Sequence, residues 1–188
     1  MRIALFLAAT VIANLPARVH ASTETPAPGP AGDAVVFAAG RYHCDGWIPQ
    51  ITSDSLRATL IGACHLLESG SVIRPEPGNI FGCHMTMPGV LGTGMIVVEH
   101  QWRFPAPGIQ HPVTGEYFRV SNGTYLMPAG GDYQNLYRFD YPGELVEGVW
   151  MLEARLDGRA VASCCFTVTS DPGAVSSSPI AACSTPTS

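Results

Sequence analysis

The sequence predicts an all-β fold, an antiparallel β-sandwich, and three observations carry that prediction. Turn signals recur at short intervals, the runs between them alternate or are β-branched and aromatic, and the last two runs make a hairpin with one apolar face. The punctuation is Pro75-Glu76-Pro77-Gly78, Met87-Pro88-Gly89, Phe104-Pro105-Ala106-Pro107-Gly108, His111-Pro112-Val113-Thr114-Gly115, Ser121-Asn122-Gly123, Met127-Pro128-Ala129-Gly130-Gly131, Tyr141-Pro142-Gly143 and Leu156-Asp157-Gly158. Signals so closely spaced leave room for strands and little for long helices.

The strands this pattern predicts run over Val35 to Phe37, Phe81 to Met87, Met95 to Phe104, Tyr117 to Val120, Tyr133 to Phe139, Val146 to Leu156 and Ala160 to Thr169. One segment fits two readings. Ser53-Asp54 followed by Leu56, Leu60, Ile61, Cys64 and Leu67, with Gly70 beyond, has the form of a capped amphipathic helix, and the same residues also allow a strand from about Thr59 to Leu67.

The last hairpin is more specific. Trp150, Leu152, Ala154 and Leu156 share one strand face, as do Cys164, Phe166 and Val168 on the next strand. A two-residue Asp157-Gly158 loop sets Trp150 opposite Cys165 and Val149 opposite Phe166, which mixes the faces. A three-residue loop with Gly158 left-handed sets Trp150 opposite Cys164, Leu152 opposite Ala162 and Gly148 opposite Phe166. That register leaves one apolar face and one carrying Glu153, Arg155, Arg159 and Ser163, a sheet with a core side and a water side. Two such sheets face to face make a sandwich.

Both ends differ from this body. Met1-Arg2, the apolar run Ile3 to Leu15, Pro16 and the small-residue site Val19-His20-Ala21 have the three parts of a secretory signal, with cleavage expected after Ala21. The run is too short for a helical membrane span, and no later stretch approaches the roughly 18 to 20 apolar residues a span needs. Residues 22–33 contain no large apolar side chain and read as a flexible leader; 170–188 read as a flexible tail, and the domain is expected over 34–169.

The formal charge is −5 for the whole chain; removing residues 1–21 takes away Arg2 and Arg18 and no acid, which makes it more acidic by two charges. No basic stripe exists, and Arg155 and Arg159 flanking a turn read as solvated charges, so nucleic acid and anionic membrane surfaces are not expected partners. The length left after cleavage suits one domain.

The stretches Gly78-Asn79-Ile80-Phe81-Gly82, Gln101-Trp102-Arg103-Phe104-Pro105-Ala106-Pro107-Gly108, His111-Pro112-Val113-Thr114-Gly115, Phe139-Asp140-Tyr141-Pro142-Gly143-Glu144-Leu145-Val146-Glu147-Gly148-Val149-Trp150, and Asp157-Gly158 on to Phe166-Thr167-Val168 resemble a family of secreted bacterial proteins catalogued as a domain of unknown function. The resemblance covers about residues 35–168. It implies an immunoglobulin-like antiparallel β-sandwich and favours the strand reading near Leu60. Its motifs are turn and core residues, imply no catalytic residue, and do not include cysteine, so the cysteines here are an addition to the family pattern.

Six cysteines remain after processing: Cys44, Cys64, Cys83, Cys164, Cys165 and Cys183. In an oxidising compartment an even number reads as three disulfides, with 15 connectivities possible. Cys164 and Cys165 are strand neighbours pointing to opposite faces, so they need different partners. Cys164 lies on the core face with Phe166; Cys165 faces outward, where the tail reaches it, so Cys165 with Cys183 is the expected pair. A bridge between Cys164 and Cys165 themselves would distort the strand. Cys83 shares a face with Phe81, Met85 and Met87 and is a candidate to meet Cys164, Cys64 or Cys44.

His43-Cys44, Cys64-His65 and Cys83-His84 juxtapose thiols and imidazoles, the ligands of zinc and copper, but adjacent strand residues point apart and no Cys-x-x-Cys spacing is present. Gly-x-Ser-x-Gly, His-Glu-x-x-His and phosphate-loop motifs are absent. Glu99-His100, His111 and Ser121 make a triad only on paper, and Glu144 and Glu147 near Trp150 read as solvated acids rather than a glycosidase pair. Cys83, Met85 and Met87 read as core rather than a copper site.

The reading is an exported, non-catalytic domain, periplasmic or secreted, without catalytic, cofactor-binding or metal residues. Its expected partner is a macromolecule, a protein, met through loops or a sheet edge. The alternative is a periplasmic metal-binding protein using the Cys and His pairs. An apolar patch beside the loops at His111 and Asn122 would favour the first reading.

Overall fold

A computed structural model describes residues 34–52, 55–60, 63–87, 94–171 and 173. Regular structure in chain order is β1 (Val35–Cys44), β2 (Trp47–Thr52), β3 (Ser55–Leu60), β4 (Cys64–Ser69), β5 (Val72–Ile73), β6 (Ile80–Thr86), β7 (Met95–Arg103), β8 (Ile109–Gln110), β9 (Tyr117–Phe118), β10 (Val120–Pro128), β11 (Asp132–Arg138), a 3-10 turn (Pro142–Glu144), β12 (Gly148–Leu156) and β13 (Arg159–Val168). The expected signal peptide and leader lie outside the described residues, as does most of the expected tail.

Two sheets form the sandwich, one ordered β11-β6-β1-β4 and the other β10-β7-β12-β13-β5; β2-β3 and β8-β9 are separate two-stranded ribbons. The strand pairs are antiparallel except β13 with β5, where Thr167 meets Val72 and Val168 meets Ile73 in parallel. The all-β expectation holds, and among the described residues no helix is long and apolar enough to cross a membrane.

Three local expectations are corrected. The segment around Leu60 is neither a helix nor one strand from Thr59 to Leu67. It ends β3 at Leu60, paired with Trp47, and begins β4 at Cys64, paired with Cys44. The chain completes a separate ribbon before rejoining the first sheet, so the pattern changes partner midway.

Second, the Asp157-Gly158 loop has two residues, not three. Asp157 (φ 50°) and Gly158 (φ 75°) are both left-handed, the primed turn whose twist suits a hairpin, and Leu156 pairs with Arg159. One step later the register shifts, with Val161 as the extra residue, so that Ala154 meets Ala162, Leu152 meets Cys164 and Trp150 meets Phe166. A bulge restores the parity that the longer loop was expected to supply, and the apolar face survives.

Third, Ser121-Asn122-Gly123 is not a turn but the interior of β10, with Gly123 opposite His100. The glycine makes room for that imidazole: a Cβ at Gly123 would lie 2.4 Å from His100 Nε2. Glycine inside a strand here marks close approach rather than reversal.

The inner faces meet in an aromatic core. Phe81 on β6 contacts Trp102, Trp150 and Phe166 from the second sheet edge-on, with centroids 5.2–5.7 Å apart. Phe104 packs on Trp150 at 4.7 Å, and such T-shaped pairs add to burial because ring edges and faces carry opposite partial charge. Cys83, Met85 and Met87 are fully or almost fully buried in this core, and Cys83 of β6 is bonded to Cys164 of β13, joining the two sheets.

Candidate functional site: the β8–β9 end of the sandwich

The loop between β8 and β9 is built around one imidazole. His111 is 1% exposed, and its Nδ1 accepts the backbone N–H groups of Val113 (3.2 Å) and Thr114 (3.1 Å). That places the ring proton on Nε2. His111 N–H donates to the Glu116 carbonyl at 2.8 Å, its carbonyl accepts from Gly115 N–H at 2.9 Å, and the ring packs on Phe118. Gln110 Nε2 donates to the Gly115 carbonyl. A buried side chain thus caps its own loop in place of secondary structure.

Against this hairpin stands the 3-10 turn, held by a second buried group. Glu144 is 3% exposed; Tyr137 OH donates to Oε1 at 2.8 Å, and the N–H groups of Asp140 (2.6 Å) and Tyr141 (3.0 Å) donate to Oε2. Burial raises the Glu144 carboxyl above its ordinary value, against hydrogen bonds that pull it down. Burial and the neighbouring carboxylate together push the Tyr137 phenol well above its usual range. Between the two elements lies a cleft of about 440 Å³ lined by Gln110, His111, Val113, Tyr141 and Pro142 among others.

The anchors are inside and the tips outside. Val113 is 73% exposed and Tyr117 56%, so two apolar side chains stand in water on a loop whose backbone is fixed. The expectation of solvated acids is therefore wrong for Glu144, a buried positioning group, and right for Glu147, which is exposed and accepts from Ser170 N–H and Oγ. Sequence reasoning missed the roles of His111 and Glu144. The signal for the second was present in Tyr141-Pro142-Gly143-Glu144, a helical-turn start with an acid at the third position.

The remaining sequence candidates do not converge. Glu99 is exposed, whereas His100 faces inward and its Nδ1 lies 2.9 Å from Tyr133 OH. That contact ends a chain of hydrogen bonds across the sandwich, from Trp102 Nε1 to Asn135 Oδ1 (2.8 Å) and from Asn135 Nδ2 to Tyr133 OH (2.6 Å). Burial pushes the Tyr133 phenol up to about 12. His100 is therefore tied to β11 and His111 to its own loop, and the paper triad with Ser121 is not assembled. Glu153 and Arg155 do lie on the outer face as expected, but Glu153 is only 6% exposed and takes a hydrogen bond from Arg155 Nε.

Cys44 is bonded to Cys64 across β1 and β4, and Cys83 to Cys164. Cys165 is also disulfide-bonded; Cys183, its expected partner, lies outside the described residues. No group of three or more His, Cys, Asp and Glu among the described residues is arranged to hold a metal ion.

The fold so described is that of an immunoglobulin-like protein. Among solved structures the chain is similar to an immunoglobulin-like protein from Pseudomonas aeruginosa, with a TM-score of 0.52 and 18% identity over 75% of this chain and 100% of that one. No family model and no curated protein matches the chain. The likeness concerns the architecture, an immunoglobulin-like β-sandwich.

Proposed function

We propose that the chain is an exported, non-catalytic immunoglobulin-like domain of the periplasm or the cell exterior, akin to the secreted bacterial family its motifs resemble. In this reading it binds another protein through the β8–β9 hairpin. The observation that carries it is Val113 and Tyr117 held in water, 73% and 56% exposed, on a loop fixed by the buried His111. Apolar groups on a rigid loop lose little further conformational freedom when covered, so more of the burial energy is left for affinity. Disulfides support an oxidising compartment. The metal reading needs Cys44, Cys64 and Cys83 as thiolates, and all three are in disulfides.

The test is in-cell photo-crosslinking from a photoreactive residue at Val113, with Val149, 59% exposed on β12, as the control position. One discrete protein adduct from position 113 that is absent from position 149, and weakened by His111→Ala, is expected. Equal or no labelling at both positions refutes the proposal. The mass of the recovered protein tests export, which requires loss of residues 1–21.

A further inference from the structure

One edge of the second sheet is unguarded among the described residues. There β10 pairs on one side only, with β7, over all nine residues from Val120 to Pro128 and without a register shift. Natural edge strands are blunted by charges, bulges or interior prolines. This one has no charged residue, no bulge against β7, and a proline only at its last position. Val120 (42%), Tyr125 (53%) and Leu126 (59%) are exposed apolar residues on it.

We infer that β10 pairs antiparallel with β10 of a second copy of this chain, about a two-fold axis through Gly123. The outer face carries in order Val120, Asn122, Thr124 and Leu126, apolar-polar-polar-apolar, a palindrome in chemical character. A two-fold through Gly123 sets Val120 opposite Leu126 and Asn122 opposite Thr124, twice over. Every outer cross-strand pair then joins like with like, the arrangement that stabilises sheets. Asn122 Oδ1 already accepts from Gln101 Nε2 at 2.9 Å, which leaves Asn122 Nδ2 to donate to the partner's Thr124 hydroxyl. On the inner face Tyr125 comes opposite Ser121.

A two-fold through a residue fits either hydrogen-bonding phase of an antiparallel ladder, so the geometry sets no obstacle there. The absence of charge means that no like-charge pair opposes the contact. The result is a continuous sheet through two sandwiches, an isologous dimer. This inference does not depend on the β8–β9 reading, since the two surfaces share no residue.

The experiment uses the full exported chain. Sedimentation velocity over roughly a hundredfold concentration range is expected to show mass rising from monomer to dimer, and Leu126→Lys, at an exposed position, to weaken association by about tenfold or more with near-UV circular dichroism unchanged. The described cysteines are all disulfide-bonded, so added thiols report register. Asn122→Cys mixed with Thr124→Cys is expected to give a disulfide-linked dimer, and Thr124→Cys alone is not. A monomer at every concentration, a dimer indifferent to Leu126→Lys, or crosslinking by Thr124→Cys alone as strong as in the mixture would each overturn the inference.

Discussion

Removing the bridge between the sheets tests the architecture most directly. Cys83 and Cys164 are 81 residues apart in sequence and Cys44 and Cys64 are 20 apart. Where a bridge acts by restricting the unfolded chain, Cys83→Ala with Cys164→Ala costs about 4.5 kcal/mol at 25 °C and Cys44→Ala with Cys64→Ala about 3.3 kcal/mol. The difference, about 1.2 kcal/mol, depends only on the logarithm of the loop ratio. Packing acts in the same direction, since Cys83 and Cys164 are fully buried. Urea unfolding followed through the fluorescence of Trp102 and Trp150 measures both pairs. With a slope of about 2 kcal/mol per molar the midpoints fall by about 2.2 M and about 1.6 M. Equal losses, or a greater loss from the Cys44–Cys64 pair, refute the view that Cys83–Cys164 holds the two sheets together.

Further outcomes follow from the buried hydrogen bonds and close contacts. The Glu144 carboxyl is raised in the folded state, so the stability it contributes is full below the ordinary carboxylate pKa and is lost as pH rises through the raised value; melting temperatures against pH should flatten across that window in Glu144→Gln. Gly123→Ala drives a methyl group into His100 and should cost about 1–3 kcal/mol in urea unfolding, most of it recovered when His100→Ala is added; no recovery would separate the glycine from the imidazole. Trp102→Phe leaves the buried Asn135 Oδ1 without its 2.8 Å donor and should cost about 1–3 kcal/mol, whereas Tyr117→Ser, at an exposed position, should leave stability within about 0.5 kcal/mol.

What the sequence revealed follows a physical divide. Alternation around Trp150, Leu152, Phe166 and Val168 is enforced by the pleat, so the strands and their core faces were legible. Local turn chemistry was less so. Asp157-Gly158 and Ser121-Asn122-Gly123 look alike as punctuation, yet one is a reversal and the other a strand interior beside an imidazole, and only the opposite strand decides. The same holds for the Val161 bulge, whose parity matches that of a longer loop. The β8–β9 end was least visible, because burial of His111 and Glu144 depends on Phe118, Tyr137 and the 3-10 turn, which come from separate parts of the chain. The number of cysteines signalled disulfides, while the Cys83–Cys164 link is set by which strands oppose each other across the core.

The Cys44–Cys64 bond has a consequence for how this domain can vary. It fastens β1 to β4 at the point where the β2–β3 ribbon departs, and among the described residues that ribbon pairs in no sheet but its own. Registers on the sandwich side are therefore fixed whatever lies between positions 45 and 63. The intervening segment can be lengthened, shortened or exchanged without renegotiating the sheets, so the staple turns it into a replaceable cassette. Grafting a different hairpin between the two cysteines should leave the melting transition of the sandwich in place, and related domains can diverge there while keeping one scaffold.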